Sequence, residues 1–394
     1  MPDVIVRRGR AKPLWRGHPW VYADSVGEVR GNPEPGELVT VRDAQDKVLG
    51  CGFFSPSSAI AVRILSPEES IEPSRAFFAA RLDEARRLRD EVLELPIVTD
   101  GYRLVHAEGD LLPGLIVDLY AGHAVVQFST VGMHRHREAV LDALEEVIEP
   151  LSIHEAPDRR VLKHEGFEAR AEQLRGDPID APVSITENGI HFRIGIGAGQ
   201  KTGFFADQRE NRKHVARLFR NRRVLDLFCY TGGFSLYAAV NGADEVLGID
   251  SSGPALSLAA ENALLNNARQ VRYERMEARE ALDGFHRKKR RFDLVVCDPP
   301  KFARDRKQVD KALRAYRDLH LRAMRVVEPG GLLAVASCSG VVRDDDFERT
   351  VREAAYDLKR TVRILYRGGQ ATDHPVLATC PEGKYLKFLL LAVG

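Results

Sequence analysis

Val224-Leu-Asp-Leu-Phe-Cys-Tyr-Thr-Gly-Gly-Phe234 is the stretch that decides how this chain folds. It begins as an apolar strand, passes an acid at Asp226, narrows to a small and aromatic loop, and meets two glycines that open a helix. Gly232 and Gly233 let a backbone approach a ligand closely, because glycine has no Cβ in the way. A tight turn alone would also account for them. The G-x-G-x-x-G fingerprint is missing, so no row of amides is prepared for a pyrophosphate. Downstream, Leu247-Gly-Ile-Asp250 ends the next strand on a carboxylate, where nucleotide-binding sheets hold ribose hydroxyls. The competing reading of Asp250 is a cap for the helix that Ser251, Ser252 and Pro254 prepare.

Working outward, strand candidates at 223–228, 245–250, 271–275, 292–297, 331–337, 361–366 and 386–392 alternate with helices. That alternation demands a mostly parallel sheet covered on both faces, with ligands beyond the carboxyl ends of its strands. Asp226 and the loop Cys229-Tyr-Thr-Gly-Gly233 fall at such an end. So does Asp298-Pro-Pro-Lys301, after the apolar run Phe292-Asp-Leu-Val-Val-Cys297. Its two prolines fix the backbone and leave a carboxylate and a carbonyl for the polar edge of a planar base. Glu277, just past the third strand, is a candidate for an adenine amine or else a solvated acid at a helix start. The glycine turn, Asp250 and Asp298, in this order, point to S-adenosylmethionine (SAM) and methyl transfer.

Ser337-Cys-Ser339 closes the strand Leu332-Leu-Ala-Val-Ala336 and puts Cys338 at the same edge. Carbon 5 of cytosine is a poor nucleophile, and a thiolate adding to carbon 6 would turn it into an enamine carbon. A buried structural cysteine is the plainer alternative. Cys297 fits that plainer reading, inside its apolar strand, and Cys51, Cys229 and Cys380 show no C-x-x-C pairing with anything. Neither a disulfide framework nor a metal site is expected.

Before this sheet the chain changes character twice. Residues 1–70 hold short strand candidates at Val4–Val6, Leu38–Arg42, Val48–Phe54 and Ile60–Leu65, which predict a small β-barrel. Residues 75–180 read as a separate α/β domain. A helix carries Phe77, Leu82, Ala85, Leu88 and Val92 on one face, strands follow at 103–105, 115–117 and 124–128, and a second helix runs from His136 to Glu149. The third region, 183–394, opens with a hairpin at 183–197 turning on Asn188-Gly189. Net charge over the 394 residues is only +1, so any pull on nucleic acid must be local. Arg7, Arg8 and Arg10, near Trp20, form one such cluster; Arg212 and Lys301 belong to others close to the sheet edge. The start lacks a signal-peptide core and no run is long enough to span a bilayer, so the cytoplasm is expected and a membrane partner is not.

Together with His18-Pro-Trp-Val-Tyr22, Leu104–Asp118, Gly199-Gln-Lys-Thr-Gly-Phe-Phe-Ala-Asp-Gln-Arg-Glu-Asn-Arg212 and Ala371-Thr-Asp-His-Pro375, these motifs give the chain a wider likeness. It resembles the PUA–EEHEAD–Rossmann family of large-subunit rRNA cytosine-C5 methyltransferases over nearly its whole length. The resemblance implies a PUA-like RNA-binding barrel, a central EEHEAD-like domain and a Rossmann-like class I methyltransferase domain. It places SAM against Gln208, Asp226, Cys229, Tyr230, Gly232, Asp250, Glu277 and Asp298. It makes Cys338 the nucleophile, and 23S rRNA or an assembling large subunit the partner, with a homodimer allowed for. N-methylation of guanine or adenine through Asp298, and a non-catalytic ribosome-assembly factor, are the competing functions.

Overall fold

A computed structural model describes residues 1–179, 182–196 and 203–394. Its contacts divide the chain into two compact units. One comprises Met1–Ile185, Ile194–Phe204 and Asp373–Gly383, the other Thr186–Arg193, Phe205–Thr372 and Lys384–Gly394. The last residue of the expected hairpin span and the Gly199-Gln-Lys-Thr202 start of one quoted motif lie outside the described residues.

The first unit contains two sheets. Six strands run in the order Trp20–Tyr22, Ile60–Ser66, Val48–Phe54, Leu38–Arg42, Asp3–Val6 and Val26–Arg30. Five run in the order Glu172–Gly176, Ser152–Glu155, His123–Phe128, Leu115–Tyr120 and Gly101–His106. Ser74 caps the helix Arg75–Arg87 through its side chain, which accepts from the Phe77 amide. Phe78, Leu82 and Ala85 of that helix face the second sheet's core, which Phe53 and Leu65 of the first sheet also enter. A Cβ on Gly132 would come within 2.2 Å of Phe53, so only glycine fits that contact. Both sheets therefore contribute to this core, and the six-stranded sheet has a second one of its own around Val4, Val6, Val39, Val41 and Val62.

Val92, read as part of the apolar stripe, is 71% exposed. The helix continues over Leu88–Val92 with π geometry, and the wider turn rotates Val92 away from the face that Leu82 and Ala85 define. Arg89, inside the same turn, is fully buried. Its guanidinium grips both carboxylate oxygens of Asp110 and donates to the carbonyls of Arg103 (3.0 Å) and Asp373 (2.7 Å). The Asp373 carboxylate in turn accepts the Arg103 amide at 2.9 Å. This clamp holds the late segment Asp373–Gly383 within the first unit.

The second unit is a seven-stranded sheet. Its order is Val271–Arg275, Glu245–Asp250, Arg223–Leu227, Phe292–Cys297, Val327–Ser337, Lys387–Val393 and Val362–Gly368. Lys387–Val393 runs antiparallel to both its neighbours, and the pairs among the first five strands are all parallel. Tyr316, Leu319 and Ala323 recur at helical spacing on Val309–Val326 and pack with Phe347, Val351 and Ala354 of Asp344–Asp357 over Leu333 and Val335. Strand order reverses between Arg223–Leu227 and Phe292–Cys297, which locates the crevice. The hairpin strands Val183–Glu187 and Ile190–Ile194 turn on Asn188 and Gly189, whose φ angles of +49° and +80° are those of a primed turn. No helix among the described residues is long and apolar enough to cross a membrane.

Replacing Arg89 tests the clamp. Arg89→Met leaves the buried Asp110 carboxylate without its cation, and we expect a loss of about 3–5 kcal/mol in urea unfolding. A variant within about 1 kcal/mol of the parent would show that the clamp is dispensable.

Candidate functional site

The turn after Arg223–Leu227 is built from unusual backbone. Phe228 and Tyr230 adopt φ of +62° and +50°, conformations that cost non-glycine residues energy and are held only by their surroundings. Here the hold comes from the neighbouring strand: Ile249 O accepts the Cys229 amide (3.1 Å), and Asp250 Oδ2 accepts the Tyr230 amide (3.0 Å). Asp250 Oδ1 accepts the Ser252 amide at 2.8 Å, so this carboxylate joins two loops at the sheet edge. Gly232 sits at φ +88°, and a Cβ there would lie 2.4 Å from the Tyr273 hydroxyl. Glycine is required on both counts. Cys229 is buried, and burial with Asp226 and Asp250 nearby pushes its thiol well up.

Asp226 does not open onto the crevice. It is buried one residue before the strand ends, and Oδ2 accepts the Ser235 hydroxyl at 2.6 Å. Burial pushes its pKa up to about 7, and Asp298 and Asp250 add to the rise. Asp226 thus pins the glycine turn from beneath. Asp250 and Asp298 make the edge above it acidic, which suits a ligand carrying positive charge.

Asp298 is half-buried, with Oδ2 accepting the Gln208 side-chain amide at 2.9 Å. Gln208 Oε1 accepts from Asn211 (2.7 Å), which also donates to Gly369 O (2.9 Å), so the amide orientation is fixed. Glu277 is exposed just ahead of the helix Ala278–Arg287 and makes no cap bond with its side chain.

Cys338 is half-buried, whereas Cys51, Cys229, Cys297 and Cys380 are buried. Its Sγ lies 3.9 Å from Pro299 O, beside the Asp298 loop. The flanking serines point into the protein and do the holding. Ser339 Oγ accepts the amides of Phe302 and Ala303, each at 3.1 Å, and pairs with Tyr316 Oη at 3.1 Å. Ser337 Oγ donates to Tyr316 Oη at 2.9 Å. The cysteine loop and the Asp298-Pro-Pro loop are therefore one hydrogen-bonded assembly. Buried Lys387 belongs to it, donating to Ser339 O at 2.6 Å and Tyr385 O at 3.0 Å. Ser339 was quoted in the sequence only as part of the Ser337-Cys-Ser339 motif, and Lys387 was not singled out. Lys387 heads an apolar strand whose antiparallel register, Lys387 opposite Ser337, has no local sequence signal.

The basic candidates divide. Arg7, Arg8, Arg10 and Lys301 are exposed. Arg212 is not available to a phosphate: it is 2% exposed, and its Nε and Nη2 engage both oxygens of Glu187 at 2.9 and 2.8 Å. Its assignment to a nucleic-acid surface is corrected to a buried ion pair. Trp20 is half-buried, edge-on to His18 and Tyr22, and gives its indole N–H to Glu108 at 2.8 Å. His18, Cys380 and Glu382 bring three donor atoms within 4.8 Å of one another. The Trp20 amide donates to His18 Nδ1 (3.2 Å), which puts the imidazole proton on Nε2 facing Glu382 and leaves no lone pair there for a metal.

Comparison with known proteins bears on this geometry. Residues 102–367 match the S-adenosylmethionine-dependent methyltransferase family, and residues 4–67 match a PUA-like domain. The chain is 39% identical over 391 residues to the ribosomal RNA large subunit methyltransferase I of Tolumonas auensis, covering 98% of each. It is 38% identical over 393 residues to the protein of that name from Alteromonas mediterranea, covering 99% of this chain and 98% of the relative. The crystal structure of SMU.776 complexed with SAH is similar in fold over 100% of both chains, with a TM-score of 0.87 at 21% identity.

Asp226 gives the site a pH signature. The folded chain keeps a proton that an unfolded aspartate sheds from about pH 4, so its contribution to stability falls as pH rises from there to about 7. Asp226→Asn should remove this slope. Between pH 5 and 8 the parent should lose roughly 2–3 kcal/mol relative to the variant in urea unfolding. Parallel stability curves would refute the raised pKa.

Proposed function

Since the chain belongs to the S-adenosylmethionine-dependent methyltransferase family, we propose that it methylates carbon 5 of a cytosine in large-subunit ribosomal RNA. The class of substrate is supported by relatives named for it that match nearly the full length of this chain. The observation that carries the choice of atom is Cys338, half-buried at the sheet edge and hydrogen-bonded into one assembly with the Asp298 loop.

Asp250 is the residue for the ribose hydroxyls of SAM, and the turn through Tyr230 and Gly232 is the part that lets its amino-acid end come close. Gln208 fixes Asp298 beside it, and Glu277 is the residue for the adenine amine. The acidic edge suits the sulfonium and ammonium charges. When bound, SAM supplies an electrophilic methyl group that a nucleophilic carbon can take.

Cys338 makes that carbon. Its thiolate adds to carbon 6 of the cytosine, forming the S–C6 bond and moving the ring electrons to carbon 5. After methylation a base removes the carbon 5 proton, and the C–S bond breaks to return the thiolate. Asp298 and the adjoining carbonyl hold the polar edge of the base during both steps. The exposed cluster Arg7, Arg8 and Arg10 and the exposed Lys301 take RNA phosphates.

Two experiments test this reading. Cys338→Ala should lose at least about a thousandfold in transfer of labelled methyl to rRNA while still binding SAM by calorimetry. Nucleoside mass spectrometry of the parent reaction should show 5-methylcytidine, and a methylated purine would move the chemistry to Asp298 instead. For the RNA surface, replacing Arg7, Arg8 and Arg10 with Gln should weaken RNA binding and reduce its salt slope by about 2–3, with SAM affinity unchanged. An unaltered salt slope would remove this cluster from the RNA contact.

A further inference from the structure

Lys387 is a charged residue in a place that burial makes costly. It is 4% exposed and begins a strand otherwise composed of apolar residues, Phe388-Leu-Leu-Leu-Ala-Val393. A buried ammonium normally needs a carboxylate partner or gives up its proton. The hydrogen bonds of Lys387 go instead to two carbonyls, Ser339 O and Tyr385 O. Ser339 follows Cys338 directly, and Ser337, which precedes it, is the register partner of Lys387 across the strand pair. The ammonium is thus bonded to the residue after the cysteine, while the backbone of Lys387 pairs with the residue before it.

We infer that Lys387 is the counter-cation of the Cys338 thiolate, holding a fixed positive charge beside the sulfur so that the nucleophile is ionised near neutral pH. The inference rests on the reading of Cys338 as nucleophile and adds what sets its reactivity. A thiol reacts as its thiolate, and an adjacent ammonium lowers the energy of that form. Lys387 acts through Cys338 and need not touch the base.

The surrounding charges agree with this role. Burial lowers the pKa of Lys387 to about 8; Asp344 and Cys338 raise it, and Lys384 and Lys301 lower it further. Asp344 is exposed and is itself engaged by Lys384 at 2.9 Å, so solvent weakens its claim on Lys387. Tyr316, whose hydroxyl bonds both Ser337 and Ser339, has its phenol pushed up to about 12 by burial and remains neutral. The thiolate is the anion that the assembly leaves for Lys387 to balance.

The rate of Cys338 alkylation by iodoacetamide against pH tests the inference without requiring methyl transfer. The full chain is used, and the modified cysteine is assigned by peptide mass spectrometry. The other four cysteines are buried, which confines fast modification to Cys338. Lys387→Met should move the midpoint of the alkylation profile upward by about one pH unit, a roughly tenfold slower reaction at pH 7. Lys387→Arg, which keeps the charge, should restore most of that rate. Circular dichroism and SAM affinity identify variants that remain folded. Should Lys387→Met fail to fold, the arginine variant and the parent decide: a parent profile with its midpoint at or above the ordinary thiol value of about 8.5 overturns the inference. A folded Lys387→Met variant with the parental profile overturns it as well. Neither result touches the nucleophile itself, which falls only if Cys338→Ala retains methyl transfer.

Discussion

Between Leu227 and Cys297 two parallel strands pair side by side, and the connections leaving their carboxyl ends run toward opposite halves of the sheet. In a doubly wound sheet that is where the crevice opens. Every group at the site is placed relative to that gap. The glycine turn leaves one strand, the Asp298 loop leaves the other, and the flanking strands contribute Asp250 on one side and Cys338 on the other. Side-chain hydrogen bonds then make the loops rigid. Asp250 ties the glycine turn to the next helix, and Ser339 ties the cysteine loop to the proline loop.

Charge is sorted across the same gap. Asp226, Asp250 and Asp298 act on one another closely enough to raise Asp226. Lys387 and Lys301 stand on the side of Cys338. An acidic side favours a cationic ligand, and a basic side favours an anionic one. Hydrogen bonds hold these charges in place: Asp250 accepts two backbone amides, Asp298 accepts the Gln208 side-chain amide, and Lys387 donates to two carbonyls.

The sheet was the most legible part of the sequence. Glu245–Asp250, Val271–Arg275 and Phe292–Cys297 were readable at their observed limits because turns or helix starts bound each short run. Trp20–Tyr22, Val26–Arg30, Ser152–Glu155 and Glu172–Gly176 were not read as strands. They are short or polar, and pairing with distant neighbours supplies what their own residues do not. The candidate site was legible where chemistry is local, as in the glycine turn and the Ser337-Cys-Ser339 loop. It was illegible where partners are remote. Arg212 looks like a phosphate ligand until Glu187, 25 residues earlier, closes over it. Lys387 looks like a strand end until Ser339, 48 residues earlier, receives its ammonium.

The position of Lys387–Val393 in the sheet also constrains how the protein is made. This strand comes last of the seven in sequence, yet it inserts between Val327–Ser337 and Val362–Gly368. Among the described residues, Val362–Gly368 pairs only with it, so that earlier strand has no place in the sheet until the later one arrives. Sequential addition from the amino end cannot complete such a sheet, and closure waits on contacts of long sequence separation. A partly synthesised chain would already carry its glycine turn, Asp298 and Cys338, but the cysteine would lack the lysine beside it. The sheet edge would then be completed in one late step, when the final strand docks.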